Sequence, residues 1–247
     1  MKIIKILIVV CLVLAFVMAG LGAKTMITSQ EDMDYDSEIS QEYTDAPEEK
    51  DTHKPLSMQI DFASLKARNS ATIGGIYLPG TSINYPVVQT ENNTDYLNKR
   101  FDGNASDYGT IFADHRCDVK NGNNIILYGH NQGKYNPVKF TQLHNYLDDS
   151  NFIKEHPYFE FYDAETGKGK IYDVFAVLRA DITTQINIDN YYRNVSDEKY
   201  YDYLIWLRLQ SLVPTSTSLD PDHQALILST CTDDADWQRV LVCCIER

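Results

Sequence analysis

The sequence lacks any cluster of basic residues. Its 247 residues include 22 Lys and Arg against 35 Asp and Glu, which gives a formal net charge of −13 at pH 7. Proteins that bind nucleic acids use clustered Lys and Arg to contact phosphates. The composition therefore argues against such a function, and we expect no nucleic-acid partner.

The cysteines also lack the spacing of a metal site or of a disulfide framework. Five are present and none forms a CxxC pair; they are Cys11, Cys117, Cys231, Cys243 and Cys244. We accordingly expect no metal and no cofactor. Adjacent residues of a strand point to opposite faces, so Cys243 and Cys244 are interpreted as packing residues. A disulfide from Cys117 to one of them stays open.

The N-terminus carries a targeting signal. Lys2 and Lys5 precede the uncharged run "ILIVVCLVLAFVMAGLGA", which is long enough to span a membrane. We predict a cytoplasmic N-terminus at 1–6, a transmembrane signal-anchor at 7–23, an acidic extracytoplasmic linker at 24–56 and a catalytic domain at 57–247. The charges flanking the run favour an N-terminus inside and a domain outside the cell membrane. A cleaved signal peptide is the alternative.

Short strands dominate the chain beyond the linker. Eight β-branched or aromatic runs are bounded by turn residues: "TIGGIYLPG", "NYPVVQT", "GTIFAD", "NNIILYGH", "YFEFYD", "GKIYDVFAVLRAD", "QALILSTC" and "RVLVCCIE". This number of short strands predicts a mainly β domain, either a barrel or a sandwich.

Helices are fewer and lie between the strands. The segment "SMQIDFASLKARN" predicts a short N-terminal helix, and "NPVKFTQLHNYL" and "DDSNFIKEH" predict two peripheral ones. A longer helix is predicted from Ser196 to Leu212. Its core-facing stripe is predicted to be Tyr201, Leu204, Ile205, Leu207 and Leu212.

Three residue types needed for thiol chemistry stand at strand ends. Cys231 closes "ALILSTC", His130 closes "NNIILYGH", and Arg239 opens the last strand after a short loop. A nucleophilic thiol needs a proton donor and a positive group for the oxyanion. Such a trio also occurs by chance, and a buried structural thiol is the alternative reading of Cys231. His115, close to Cys117, is the rival histidine.

Five segments, taken in order, resemble class B sortases, which are cysteine transpeptidases of Gram-positive cell surfaces. They are "YLPGTSINYPVVQTENNTDYLNKRF", "GTIFADHR", "NNIILYGHN", "FTQLHNYLDDSNFIKEHPYFEFY" and "LILSTC…R". The resemblance runs from Met58 to Ile245. It implies a closed, sortase-like β-barrel of about eight strands with an N-terminal helix and a few peripheral helices.

The resemblance also implies the catalytic residues. The histidine of the family's Gly-His-Asn segment falls on His130, the cysteine of its Thr-Leu-x-Thr-Cys segment on Cys231, and the arginine of the next strand on Arg239. Ile227 stands where the family has the first threonine. The loop before Arg239 is short for class B, which puts the reach of this arginine in question; Arg179 is a more distant alternative.

Substrate-binding candidates lie near the cysteine and on the long helix-bearing segment at 182–213. They are Leu228, Ser229, Thr230, Asp233, Tyr191 and Tyr192, for each of which plain packing is the alternative.

The reaction implied by the resemblance is transpeptidation. The thiolate of Cys231 attacks the Thr carbonyl of a C-terminal sorting signal of the Asn-Pro-x-Thr-Asn kind, and a thioacyl enzyme forms. A peptidoglycan precursor amine then accepts the cargo surface protein. The expected partners are thus surface proteins with a sorting signal, a peptidoglycan amine and the membrane.

Three alternatives stay open. A catalytically silent binding module with the same fold would have Arg239 turned away from Cys231. An L,D-transpeptidase is disfavoured because its cysteine is normally followed almost at once by Arg, unlike "LSTCTDD". A redox or metal protein using Cys117, His115 and Cys231 is disfavoured by the lack of ligand spacing.

Overall fold

A computed structural model describes residues 30–44, 55–133, 136–181, 197–232 and 237–247. The chain divides into two units, Met1–Glu38 and Ile39–Arg247. Only residues 30–38 of the first unit are described, and they are helical. The second unit contains every strand of the described chain.

The second unit is a closed barrel of eight strands, as the resemblance implied. The strand order around the barrel is β1-β2-β3-β4-β7-β8-β6-β5, and β5 pairs with β1 to close it. The strands are β1 (Thr72–Tyr77), β2 (Asn84–Val88), β3 (Phe112–Ala113), β4 (Asn124–Tyr128), β5 (Tyr158–Asp163), β6 (Gly169–Asp181), β7 (Ala225–Cys231) and β8 (Gln238–Glu246). All eight predicted strands are confirmed, and the sandwich alternative is wrong.

Five α-helices and one 3₁₀ helix accompany the strands in the described part of the chain. They are α1 (30–43), α2 (Phe62–Arg68), the 3₁₀ helix Thr141–His144, α3 (Asn145–Asp148), α4 (Phe152–Glu155) and α5 (Asp197–Leu209). The carboxylate of Asp61 starts α2 by accepting a hydrogen bond from the backbone N–H of Ser64 at 3.0 Å.

Residues 30–43, which lie within the linker expected at 24–56, are helical in the structure. In the second unit, Ile39 is buried, and the carbonyl of Tyr43 accepts a hydrogen bond from the N–H of Asp61 at 3.0 Å. The spacing of Ile39 and Tyr43 places them on one helix face, a short apolar pattern hidden by the many acidic neighbours.

Two apolar clusters lie on opposite faces of the wall formed by β7 and β8. Leu226, Leu228 and Cys244 belong to the inner cluster, together with side chains from the other strands. Ile227 and Cys243 belong to the outer cluster, which includes the buried face of α5. Alternation along each strand explains this division. It also confirms that Cys243 and Cys244 are packing residues.

The buried face of α5 differs from the predicted stripe. The helix buries Tyr200, Tyr203, Leu204 and Leu207, whereas Tyr201 and Leu212 are exposed. The true face follows the i, i+3, i+4, i+7 spacing from Tyr200. Two adjacent tyrosines make the starting position ambiguous in the sequence.

No helix in the described ranges is both long and apolar enough to cross a membrane. The predicted anchor at 7–23 falls outside those ranges.

Candidate active site

The ends of two parallel strands bring His130 and Cys231 to one edge of the barrel. Strand β4 pairs with β7 in parallel, and Tyr128 is in register with Ser229. His130 lies two residues beyond Tyr128, and Cys231 lies two residues beyond Ser229. Adjacent strands are about 4.8 Å apart, so both residues follow the aligned ends of neighbouring strands.

Arg239 completes a row of three. Strand β8 pairs with β7 in antiparallel fashion, and the register places Arg239 directly opposite Cys231. This pairing places the backbones of the two residues next to each other. Arg179 lies on β6, opposite Val240 and one strand farther from the cysteine.

The side chains of Cys231 and Arg239 share the outer face of the barrel wall. Cys231 alternates in phase with Ile227, and Arg239 alternates in phase with Leu241 and Cys243, all members of the outer cluster. Directly opposed residues of paired strands extend to the same face of a sheet. Both residues are half-buried, as is His130, so the site is accessible from outside the barrel.

A backbone carbonyl orients the His130 ring. Its Nε2 lies 2.7 Å from the carbonyl oxygen of Leu97. A carbonyl only accepts hydrogen bonds, so Nε2 carries the proton, and Nδ1 is the ring nitrogen that can exchange one. The main chain of His130 is held as well, since its carbonyl accepts from the N–H of Phe140 at 3.1 Å.

Gly109 makes room for this arrangement. Its φ is +59°, and a Cβ at this position would lie 2.6 Å from the carbonyl oxygen of Leu97 and 3.0 Å from Cδ2 of His130. Both the backbone conformation and the close approach therefore require glycine.

His144 contributes a contact that the sequence analysis missed. Its Nε2 lies 2.9 Å from the carbonyl oxygen of Cys231, which fixes the main chain beside the thiol. The two residues are 87 positions apart, and no local pattern links the 3₁₀ helix Thr141–His144 to the end of β7. Only the folded barrel reveals the contact.

Burial separates Cys231 from the other described cysteines. Cys117, Cys243 and Cys244 are buried, and all four described cysteines are free thiols. Burial raises the pKa of Cys117 to about 12 and also raises the pKa values of Cys243 and Cys244. These three remain protonated thiols near neutral pH, while Cys231 is half-exposed.

The rival site at His115 does not assemble. The sulfur of Cys117 accepts a hydrogen bond from the backbone N–H of Ile126 at 3.4 Å within the core. His115 instead faces the carboxylate of Asp114, with 3.7 Å between Nδ1 and Oδ1. The described residues contain no group of three or more His, Cys, Asp or Glu side chains that could hold a metal ion.

The predicted substrate-binding residues fall into two groups. Leu228 belongs to the inner cluster and is fully buried, so its side chain packs in the barrel core. Ser229 and Thr230 are buried beside the row, and Thr230 Oγ1 has no hydrogen-bond partner among the described residues. Asp233, Tyr191 and Tyr192 lie outside the described residues.

Comparison with known proteins identifies the family. The family described as Sortase domain matches residues 76–246. The chain belongs to the sortase family. Sortase B of Staphylococcus aureus is 37% identical over 175 residues, which cover 70% of this chain and 68% of that protein. This sortase is therefore of class B, and sortases are cysteine transpeptidases.

Solved structures agree in fold. The crystal structure of sortase B from B. anthracis in complex with AAEK1 is 27% identical, with a TM-score of 0.72 over 90% of this sortase and 98% of that chain. The Staphylococcus aureus sortase B-substrate complex is 31% identical, with a TM-score of 0.67 over 75% of this sortase and 84% of that chain.

Proposed function

We propose that this sortase cleaves a C-terminal sorting signal of the Asn-Pro-x-Thr-Asn kind and transfers the cargo protein to a peptidoglycan amine. The observation that carries the proposal is the row of His130, Cys231 and Arg239 at the ends of adjacent strands, at one edge of the barrel. The structure of Staphylococcus aureus sortase B has been solved as a substrate complex, and this supports the proposal that the present sortase binds a substrate of the same kind.

In the first half of the proposed reaction, the Cys231 thiolate attacks the carbonyl carbon of the signal's Thr. A tetrahedral oxyanion forms, and Arg239 stabilises its charge, because a guanidinium stays protonated and presents several donors. The C–N bond after Thr breaks, and His130 gives its proton to the leaving amine. The products are a thioester on Cys231 and the released C-terminal peptide.

In the second half, the peptidoglycan amine attacks the thioester carbonyl. His130, now neutral, accepts the proton that the amine loses, and Leu97 keeps the ring in one tautomer. The C–S bond breaks, a new amide forms, and the Cys231 thiolate is regenerated. The proposed anchor at 7–23 would hold the enzyme at the outer face of the cell membrane, where the cargo protein emerges.

Cleavage of quenched fluorescent peptides tests the proposal. We expect the protein to cleave an Asn-Pro-x-Thr-Asn peptide faster than a Leu-Pro-x-Thr-Gly peptide. Cys231→Ala should abolish cleavage, and His130→Ala should be nearly as damaging. His115→Ala is the matched control and should retain activity, because His115 faces Asp114 instead of the thiol.

Two results would contradict the proposal. Turnover by the Cys231→Ala variant would remove the nucleophile assignment. A folded protein that cleaves neither peptide would favour the silent binding module instead.

A further inference from the structure

A buried carboxylate outside the row lies beside β4, where the N–H of Asp114 donates to the carbonyl of Ile126, four residues before His130. Asp114 follows β3 directly and is 0% exposed. Its oxygens accept hydrogen bonds from Asn93 Nδ2 at 2.7 Å and from the Tyr128 hydroxyl at 3.0 Å. Arg116 donates to it from its backbone N–H at 2.9 Å and from Nε and Nη2 at 3.0 Å each. This density of donors keeps a buried charge satisfied.

The carboxylate remains ionised despite its burial. Burial raises the pKa of Asp114, but the hydrogen bonds from Arg116, Asn93 and Tyr128 outweigh that effect and leave the pKa below its ordinary value. Asp114 therefore acts as a fixed acceptor at neutral pH.

Two hydrogen-bond partners of Asp114 connect it to the surroundings of His130. Tyr128 lies on β4, two residues before the histidine, and ties that strand to Asp114. Asn93 lies in the segment 92–98, which also contains Leu97, the residue whose carbonyl holds the His130 ring. The side-chain oxygen of Asn93 accepts from the backbone N–H of His115 at 2.9 Å, so this amide is fixed at both ends.

We propose that Asp114 is a positioning residue that sets the orientation of His130. Its carboxylate joins the strand that carries the histidine to the segment that carries the Leu97 carbonyl. The inference rests on the proposed role of His130 as the proton donor and acceptor. Asp114 itself touches neither the thiol nor the peptide in this account.

The physical need for such a residue follows from the segment itself. Residues 92–98 form no strand. The carbonyls on either side of Leu97, those of Tyr96 and Asn98, accept hydrogen bonds from the N–H groups of Thr110 and Ser106 at 3.0 Å each. The start of the segment is tied to Asp114 through the side chain of Asn93. If Leu97 moves, Nε2 of His130 loses its acceptor, and both ring tautomers become populated.

Nuclear magnetic resonance of ¹⁵N-histidine-labelled protein tests the proposal without substrate. We expect the imidazole signals of His130, assigned by their absence in His130→Gln, to report one Nε2–H tautomer in the wild type. Asp114→Asn should give a mixture of tautomers. Asp118→Asn is the matched control, since this exposed carboxylate also accepts backbone N–H bonds, from Lys120 and Asn121, and it should leave the signals unchanged.

Kinetics provide the second readout. Asp114→Asn should lower kcat by about 100-fold, the typical result of misplacing a catalytic group by ~1 Å, with little change in KM. A purely structural role would lower only the amount of folded protein and leave kcat per folded molecule and the tautomer unaltered, which would overturn the proposal. If Asp114→Asn does not fold, two other variants replace it: Tyr128→Phe removes the hydroxyl bond to Asp114, and Asn93→Ala removes the bond to Asp114 together with the bond from the N–H of His115. Each must still shift the tautomer.

The two proposals fail in different ways. A wild type with an ordered Nε2–H tautomer but no peptide cleavage would refute the proposed function and support the positioning of His130. Cleavage by the wild type, with an unchanged tautomer and kcat in Asp114→Asn, would refute the positioning alone.

Discussion

At the scale of single residues, burial determines which thiol can react. A thiolate is the nucleophilic form, and an apolar core disfavours it. Cys117, Cys243 and Cys244 lie in the core, whereas Cys231 ends its strand at the barrel edge with partial exposure. The same chemical group thus lies in two environments in one chain, and we propose reactivity only for the partly exposed thiol of Cys231.

Alkylation measures this difference. With iodoacetamide at pH 8, native protein should be modified at Cys231 within minutes, while Cys117, Cys243 and Cys244 stay unmodified because burial raises their pKa values. Peptide mapping by mass spectrometry gives the extent at each site. The unfolded protein in denaturant is the control and should be modified at all five cysteines of the chain, Cys11 included. Rapid native labelling of Cys243 would contradict the burial argument.

The sequence predicted the three residues of the row better than it predicted the residues that hold them in place. His130, Cys231 and Arg239 each stand at the end of an apolar run, so strand patterning and the family resemblance pointed to them. Leu97 and His144 could not be found this way, because they act through main-chain contacts between segments distant in sequence.

At the scale of elements, the parallel pair β4–β7 and the hairpin β7–β8 create the site. A parallel pair aligns two carboxyl ends, and an antiparallel partner adds its amino end at the same edge. Helix α5 packs against β6 in the outer cluster and buries Leu204 and Leu207 there. Burial of this face specifies the register of the strands, because a slip by one residue would move their apolar side chains to the opposite face.

Truncation of α5 tests its contribution. Leu204→Ala should lower the free energy of unfolding by about 2–5 kcal/mol, because Leu204 is fully buried in the outer cluster. Leu209→Ala, in the same helix but 74% exposed, is the control and should change it by less than about 0.5 kcal/mol. Chemical denaturation measures both. Equal effects would show that α5 does not pack through the face that we describe.

At the scale of the whole molecule, the eight strands were predictable but their order was not. Each strand is a short apolar run bounded by turn residues, a local signal. The neighbours of β7 are β4 and β8, and the first of these is almost 100 residues away along the chain. Such long-range pairing came only from the resemblance. The predicted buried face of α5 was right at Leu204 and Leu207 and wrong at Tyr201, because Tyr200 and Tyr201 offer two equivalent starting positions.

The central claim is that Cys231 forms a thioester with the sorting signal. The most direct measurement is the intact mass of the protein after brief incubation with an Asn-Pro-x-Thr-Asn peptide, followed by digestion to locate the adduct. We predict an added mass equal to the peptide through its Thr residue, minus water, on the fragment containing Cys231, and no adduct in Cys231→Ala. Peptide cleavage without this adduct, or an adduct on another residue, would contradict the account.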